Sequence, residues 1–542
     1  MPIPTGPRPF DGLARDLIAA QLDARPTLGT NLGLTEYDEA LPDLSASAVA
    51  AVERDEDRWL ERFAALDDAD LTPDEQVDRD LVVMVLTGRR VMRDWADWRR
   101  NPDHYAGTAL SGVFTLMLHR LRPEPELAGA VSARLRAIPG LLAQGVANLD
   151  PDLASPMLVR RAIGQVRAGA AYARAVAGEL PESHRGEVAE AGERAAEAFD
   201  RFAAHLEGLA DRARGEWAIG EQRYDGLLRH AEGLTYGARE MREQGRTAYA
   251  ALETDIRRRT KELRGHDDWR TLAEELNEDH PATPEAMREA YADITARARQ
   301  FCRDRGLVTL PEAEECRVVP SAPFTRPVLA VAHYIAPPPF SDRRTGYFFV
   351  PYPPDGAAGA QVRQRLAANS FRSMWTITAH EAYPGHHWHL SHVAATTARP
   401  LRAVFSSTYF SEGWGLYAEE LMREQGFFTD PTHEMGQVAA RLFRAARIVV
   451  DTSLHLGEMT VEEAATFMAE RAGLPDETAR AEVQRYCAWP TQAASYLTGA
   501  LEIARIRDAW LATGHDDMRR FHDRIAATGR LPITLVERCL AG

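Results

Sequence analysis

Residues 379–392 read Ala379-His380-Glu381-Ala382-Tyr383-Pro384-Gly385-His386-His387-Trp388-His389-Leu390-Ser391-His392. A His-Glu pair opening such a run is how a helix-borne zinc hydrolase motif begins. A neutral imidazole binds the metal, and the adjacent carboxylate serves as general base. The usual partner is a histidine four residues on, but here that position is Pro384. On a straight helix of about 100° per residue, His386 points roughly 120° away from His380. His387 returns to the same face but lies about 10 Å along the axis. Neither could share an ion with His380 on a regular helix, since zinc–nitrogen bonds are about 2.0–2.1 Å.

Pro384 and Gly385 resolve the misfit. Proline removes a helix donor and clashes with the preceding turn, and glycine permits unusual dihedrals. The stretch is expected to kink or bulge so that His386 swings back toward His380. The expected ligands are His380 and His386, with His387 as runner-up. The bland alternative is a solvated histidine patch, because His386, His389 and His392 recur every three residues.

Three further stretches work outward from this pair. Ser411-Glu412-Gly413-Trp414-Gly415 offers Glu412 as a third ligand from a neighbouring helix, the usual arrangement that leaves a position for water. Glycines at 413 and 415 are costly in a helix, and fit a close helix approach around a metal. Glu419 is a candidate partner for a ligand histidine, against an exposed helix face as the plain alternative. Arg447, Asp451 and His455 recur every four residues and share one helix face. They read either as a site for a substrate carboxylate or oxyanion, or as a structural salt-bridge ladder. Tyr496, within Pro490–Gly499, is either a hydroxyl donor to a tetrahedral intermediate or a core tyrosine.

The rest of the chain is mostly helical in pattern. Segment 45–65 has helical apolar spacing and a serine start, and 187–214 reads as a long amphipathic helix with a solvated charged face. The character changes at 316–353, where residues 316–320, 327–335 and 346–350 are short, β-branched or aromatic, and punctuated by Pro, Gly and Asp. Helices resume near 359, with breaks near 395–408, 427–433, 457–460, 473–476 and 488–491.

Composition bounds the partners. The 542 residues carry a net charge of −16, which disfavours nucleic acid, since phosphate binding wants a basic face. Lys261 is the only lysine, so a Schiff-base mechanism has one poor candidate. Cys302, Cys316, Cys487 and Cys539 contain no C-x-x-C pair, which argues for a reducing compartment. The N-terminal residues lack an apolar signal core, and no window is long and apolar enough for a membrane span. The expectation is a cytoplasmic protein with no membrane or nucleic-acid partner.

Taken in order, HEAYPGHH, SEGWGLYAEE, RIVVDTSLHLG and PTQAASYLTGALEIARIR resemble the signature blocks of the bacterial domain of unknown function 885 family, and TLGTNLGLTEYDEALPDLS is similar to its opening. The resemblance implies a mainly α, two-lobed metallopeptidase-like fold, similar to neurolysin and angiotensin-converting enzyme. It implies a deep active-site channel, with the small sheet of about 316–351 beside it. The lobes are expected at about 1–300 and 301–542. Carried over by position, it implies His380, His386 and Glu412 as zinc ligands and Glu381 as general base. It sets Tyr496 and His455 near the oxyanion, and Arg447 or Arg505 near a substrate carboxylate. Trp388-His389 and Ser453 depart from the pattern frequent in relatives. The expected activity is zinc-dependent hydrolysis of short peptides by a monomer or homodimer. An extended substrate would pair with a strand edge within 328–350, lined by Tyr334 or Tyr347. The competing readings are a hydrolase or lyase of a non-peptide metabolite, with Mn, Fe or Co in place of Zn, and a non-catalytic peptide-binding relative.

Overall fold

The computed structural model describes residues 8–541 apart from 323–325, 327–330, 355, 397 and 398. It is mainly α, with one small sheet. Its contacts divide the chain into two compact units. One is the chain up to Ile219 with Pro338–Arg343 and Arg399–Phe405, and the other is the remainder from Gly220.

The first unit is helical. Ser45 caps the expected helix Ala46–Ala64 by accepting from the Ala48 amide, which satisfies one of the orphan N–H groups of the first turn. Glu124–Asn148, Pro156–Ala175 and Arg185–Ala210 supply about half of its apolar core. The last of these carries the amphipathic pattern expected at 187–214 but ends at Ala210, four residues short. Arg134 is fully buried there and donates to Thr30 Oγ1 at 2.6 Å and to the Tyr37 and Ala40 carbonyls at 3.0 and 3.1 Å. A buried guanidinium persists only when its donors are so met.

The second unit joins helices Ala238–Arg264, Pro284–Arg305, Phe371–Glu381, Thr408–Glu424, Pro431–His455 and Ser495–Ala512 to the sheet. Breaks between its later helices fall where proline and glycine punctuate the sequence. The strands are β1 (Glu315–Pro320), β2 (His333–Ile335) and β3 (Thr345–Val350), in order β1-β3-β2. β1 pairs parallel to β3, and β2 pairs antiparallel with Tyr334 opposite Phe348. Of the expected strand at 327–335 only the end is seen as β2, and residues 327–330 lie outside the described residues. No helix among the described residues is long and apolar enough to cross a membrane.

The expected kink at Pro384 is a complete break. Phe371–Glu381 stops, residues 382–385 turn, and a separate helix runs from His386 to Thr396. Gly385 is required there, because a Cβ would stand 1.8 Å from the His380 carbonyl oxygen.

Candidate metal centre

Three helices converge on one point. His380 lies in the last turn of Phe371–Glu381, His386 is the first residue of the next helix, and Glu412 sits in the first turns of Thr408–Glu424. The His380 and His386 rings stand perpendicular, with centroids 4.7 Å apart. Glu412 Oε2 is 3.4 Å from His380 Nε2 and 3.5 Å from His386 Nε2. One ligand atom from each residue falls within 4.8 Å of the others. Charge-assisted hydrogen bonds run at about 2.7–2.9 Å, so these separations are long for direct pairing. Two donors on a tetrahedral ion with bonds of about 2.0–2.1 Å stand about 3.3–3.4 Å apart, which the observed spacings fit.

The surroundings orient the donors. The buried Glu419 carboxylate accepts from His380 Nδ1 at 2.8 Å, fixing the tautomer that turns Nε2 toward Glu412 and His386. Trp414 Nε1 donates to the Pro384 carbonyl at 2.9 Å, so the turn that delivers His386 is tied to the helix that delivers Glu412. Gly415 makes room for the His380 ring, since a Cβ there would lie 2.5 Å from Cε1. Gly413 meets the backbone of Gly499 instead, at 2.5 Å from its carbonyl carbon. The two glycines thus serve two different close approaches, one to a ligand and one to the helix Ser495–Ala512.

The local field is that of a cation site. Burial pulls the His380 pKa down, but the carboxylates of Glu412, Glu419 and Glu381 more than offset it and push it up to about 10. Burial would raise Glu412, yet His380 and His386 hold it well below the usual carboxylate range. The same carboxylates that stabilise a positive ring stabilise a divalent cation. Zinc fits this donor set of two imidazoles and one carboxylate with a carboxylate behind the first histidine.

His387 is held elsewhere. It is fully buried, its Nε2 lies 2.7 Å from Glu314 Oε2, and its Nδ1 lies 3.0 Å from the Tyr334 hydroxyl. Glu314 also accepts from Tyr383 and, at 2.7 Å, from Arg299 Nε. This buried carboxylate anchors the turn between the two histidine helices. Sequence reading missed it, because a glutamate in a loop ahead of a strand carries no local mark of burial. Tyr334 packs over Gly346, where a Cβ would lie 1.9 Å from its hydroxyl, and faces His387 rather than the three-residue cluster.

The remaining candidates separate. The Tyr496 ring lies 6.3 Å from that of His380, and its hydroxyl accepts from Gln492 at 3.3 Å, so the structure brings it beside the cluster. Arg447 stacks over Tyr496 at 5.0 Å but is buried and paired with Glu482 at 2.9 Å. His455 is buried against Tyr224, with Nε2 3.1 Å from the Tyr486 carbonyl oxygen. Burial lowers its pKa to about 4. Asp451 takes the Tyr224 hydroxyl and the Thr491 amide and lies 3.9 Å from His455 Nε2, while Arg447 is paired outside this face with Glu482. Arg505 is exposed and pairs with Glu502 and Glu537 at 2.8 and 2.7 Å. Glu420 pairs with Arg423 and with Gln437 at 2.9 Å. The four cysteines are free.

Residues 26–540 match the family model described as "Bacterial protein of unknown function (DUF885)". No curated protein matches the chain. Among solved structures, the chain is similar to a candidate lipoprotein of unknown function from Shewanella oneidensis, at 19% identity and a TM-score of 0.79, over 98% of this chain and 100% of that one. It is also similar to a candidate lipoprotein from Colwellia psychrerythraea, at 19% identity and a TM-score of 0.82, over 98% of each chain. At such identities the likeness establishes a shared fold.

Proposed function

The chain belongs to the bacterial DUF885 family, and from that premise and the geometry of His380, His386 and Glu412 we propose that it is a zinc-dependent hydrolase of peptide bonds in short peptides. The observation that carries this reading is the convergence of two imidazole Nε2 atoms on one carboxylate oxygen at 3.4 and 3.5 Å, with Glu419 fixed behind His380 at 2.8 Å. His380, His386 and Glu412 would hold the ion. When bound, zinc supplies Lewis acidity toward a carbonyl and lowers the pKa of water to about 7.

The chain's own residues supply the rest. Glu381, next to the first ligand in sequence, is assigned as the base that takes the proton of the attacking water and returns it to the leaving amine. His386 and Glu412 keep part of their surface exposed, so a solute can reach them, while His380 and Glu419 are buried and keep the donor set rigid. Tyr496 is assigned as a hydroxyl donor beside the His380 ring, where negative charge develops in amide hydrolysis.

Metal analysis of the purified chain and a screen of short peptides test the reading together. One zinc per chain with zinc-dependent peptide cleavage is expected. Stoichiometric zinc without turnover of any peptide would overturn the hydrolase assignment, and absence of binding of any divalent metal would overturn the site.

A further inference from the structure

The arginines around Tyr496 are not equivalent. Arg447 is committed to Glu482 at 2.9 Å and to the Tyr486 hydroxyl at 3.2 Å. Arg485 is held by Glu482 at 2.8 Å and Gln492 at 2.6 Å. Arg444 differs. Among the described residues it has no carboxylate partner. Its Nη1 reaches only the Ala440 carbonyl of its own helix, at 3.3 Å, and its Nε is buried without a hydrogen-bond partner. The side chain is half-buried, and its guanidinium carbon lies 5.9 Å from the Tyr496 ring centroid. That ring is 6.3 Å from the His380 ring.

A buried guanidinium donor left without an acceptor is costly. The planar fork of arginine matches a carboxylate through two parallel hydrogen bonds. We propose that Arg444 receives the free carboxylate of the substrate, so that the site selects short peptides cut close to their carboxyl end. The inference rests on the hydrolase reading above. The two ring spacings put the guanidinium carbon within about 12 Å of the His380 ring, and extended residues span about 3.3–3.6 Å each. The scissile bond therefore lies one to three residues from the captured carboxylate. Arg447 and Arg505, the arginines the sequence put forward for this task, already have carboxylates of their own.

The test compares penta-alanine as free acid and as carboxyl-terminal amide, using the full-length zinc-loaded chain. A preference of tenfold or more in kcat/KM for the acid is expected. It should vanish in Arg444→Ala and Arg444→Gln, the loss falling more heavily on the acid than on the amide, and return in part in Arg444→Lys. Equal rates on acid and amide, or equal losses on both in Arg444→Ala, would overturn the proposal. Calorimetric binding of the same two peptides to Glu381→Gln separates this from failure of the hydrolase reading. Tighter binding of the acid that depends on Arg444 supports the carboxylate site even if no peptide is cleaved. Cleavage with no discrimination in binding rejects the site and keeps the hydrolase.

Discussion

Glu419 Oε1 lies 2.8 Å from His380 Nδ1, and both side chains are buried. A carboxylate in this place orients the ring and raises its basicity, and losing it commonly weakens metal affinity about 10–100-fold. Glu419→Gln should bind zinc more weakly by that order while keeping its helical content. Competition with a chelating dye measures the affinity, and an unchanged dissociation constant would remove Glu419 from the metal's support.

Gly415→Ala tests the space around the first ligand. The added Cβ would stand 2.5 Å from His380 Cε1, so the ring must move. Zinc stoichiometry should fall with a small change in melting temperature. Gly413→Ala meets backbone at Gly499 instead and should destabilise the protein by about 1–3 kcal/mol. The reverse pattern in metal content and melting would contradict the division of labour between the two glycines.

Glu381→Gln should retain one zinc per chain and lose turnover by about 10²–10⁴-fold, the usual contribution of a positioned acid–base group. Full activity with normal zinc would sink its role.

His386 and His387 are distinguished by paired substitutions. His386→Ala should lose the metal, since it removes one of three donors. His387→Ala should keep it but lower stability by about 1–3 kcal/mol, because Glu314 loses a buried hydrogen-bond partner. Metal loss in His387→Ala together with retention in His386→Ala would exchange their roles.

Two buried carboxyls should make stability fall with rising pH. Burial pushes Asp451 up to about 7, against the hydrogen bonds it accepts from Tyr224 and the Thr491 amide. Burial likewise pushes Glu232 up to about 7, despite the hydrogen bonds it accepts from Ser407 and the Tyr409 amide. Their folded-state pKa values exceed the unfolded ones, so the folded chain binds these protons more tightly. The associated stability is present below about pH 4 and is lost as pH rises through about 7, at roughly 1.4 kcal/mol per unit of separation. Asp451→Asn and Glu232→Gln should each flatten the decline in melting temperature between pH 5 and 8. A wild-type profile that rises across that range would contradict these protonation states.

Much of the fold was legible because its signals are local. Ser45, the alternating apolar positions and the Pro/Gly breaks are read by the backbone within a turn or two, and the helices fall where they indicate. The sheet was visible as a change in residue type, although the parallel pairing of β1 with β3 was not, since register depends on what lies between the strands.

By itself the sequence determined family membership, the mainly helical architecture and the set of residues with the right chemistry: His380, Glu381, His386 or His387, Glu412, Glu419. It put His386 ahead of His387 without placing either ring, because spacing along an interrupted helix does not fix where a ring points. Tertiary structure decided that. Trp414 holds the Pro384 carbonyl, Glu314 occupies His387, and His386 is left facing Glu412. The same holds for the arginines. Arg447 and Arg444 are one turn apart, yet Arg447 pairs with the distant Glu482 and Tyr486, while among the described residues Arg444 has no carboxylate partner. Which buried charge finds a partner is set by contacts between helices far apart in the chain, and those exist only once the helices have packed.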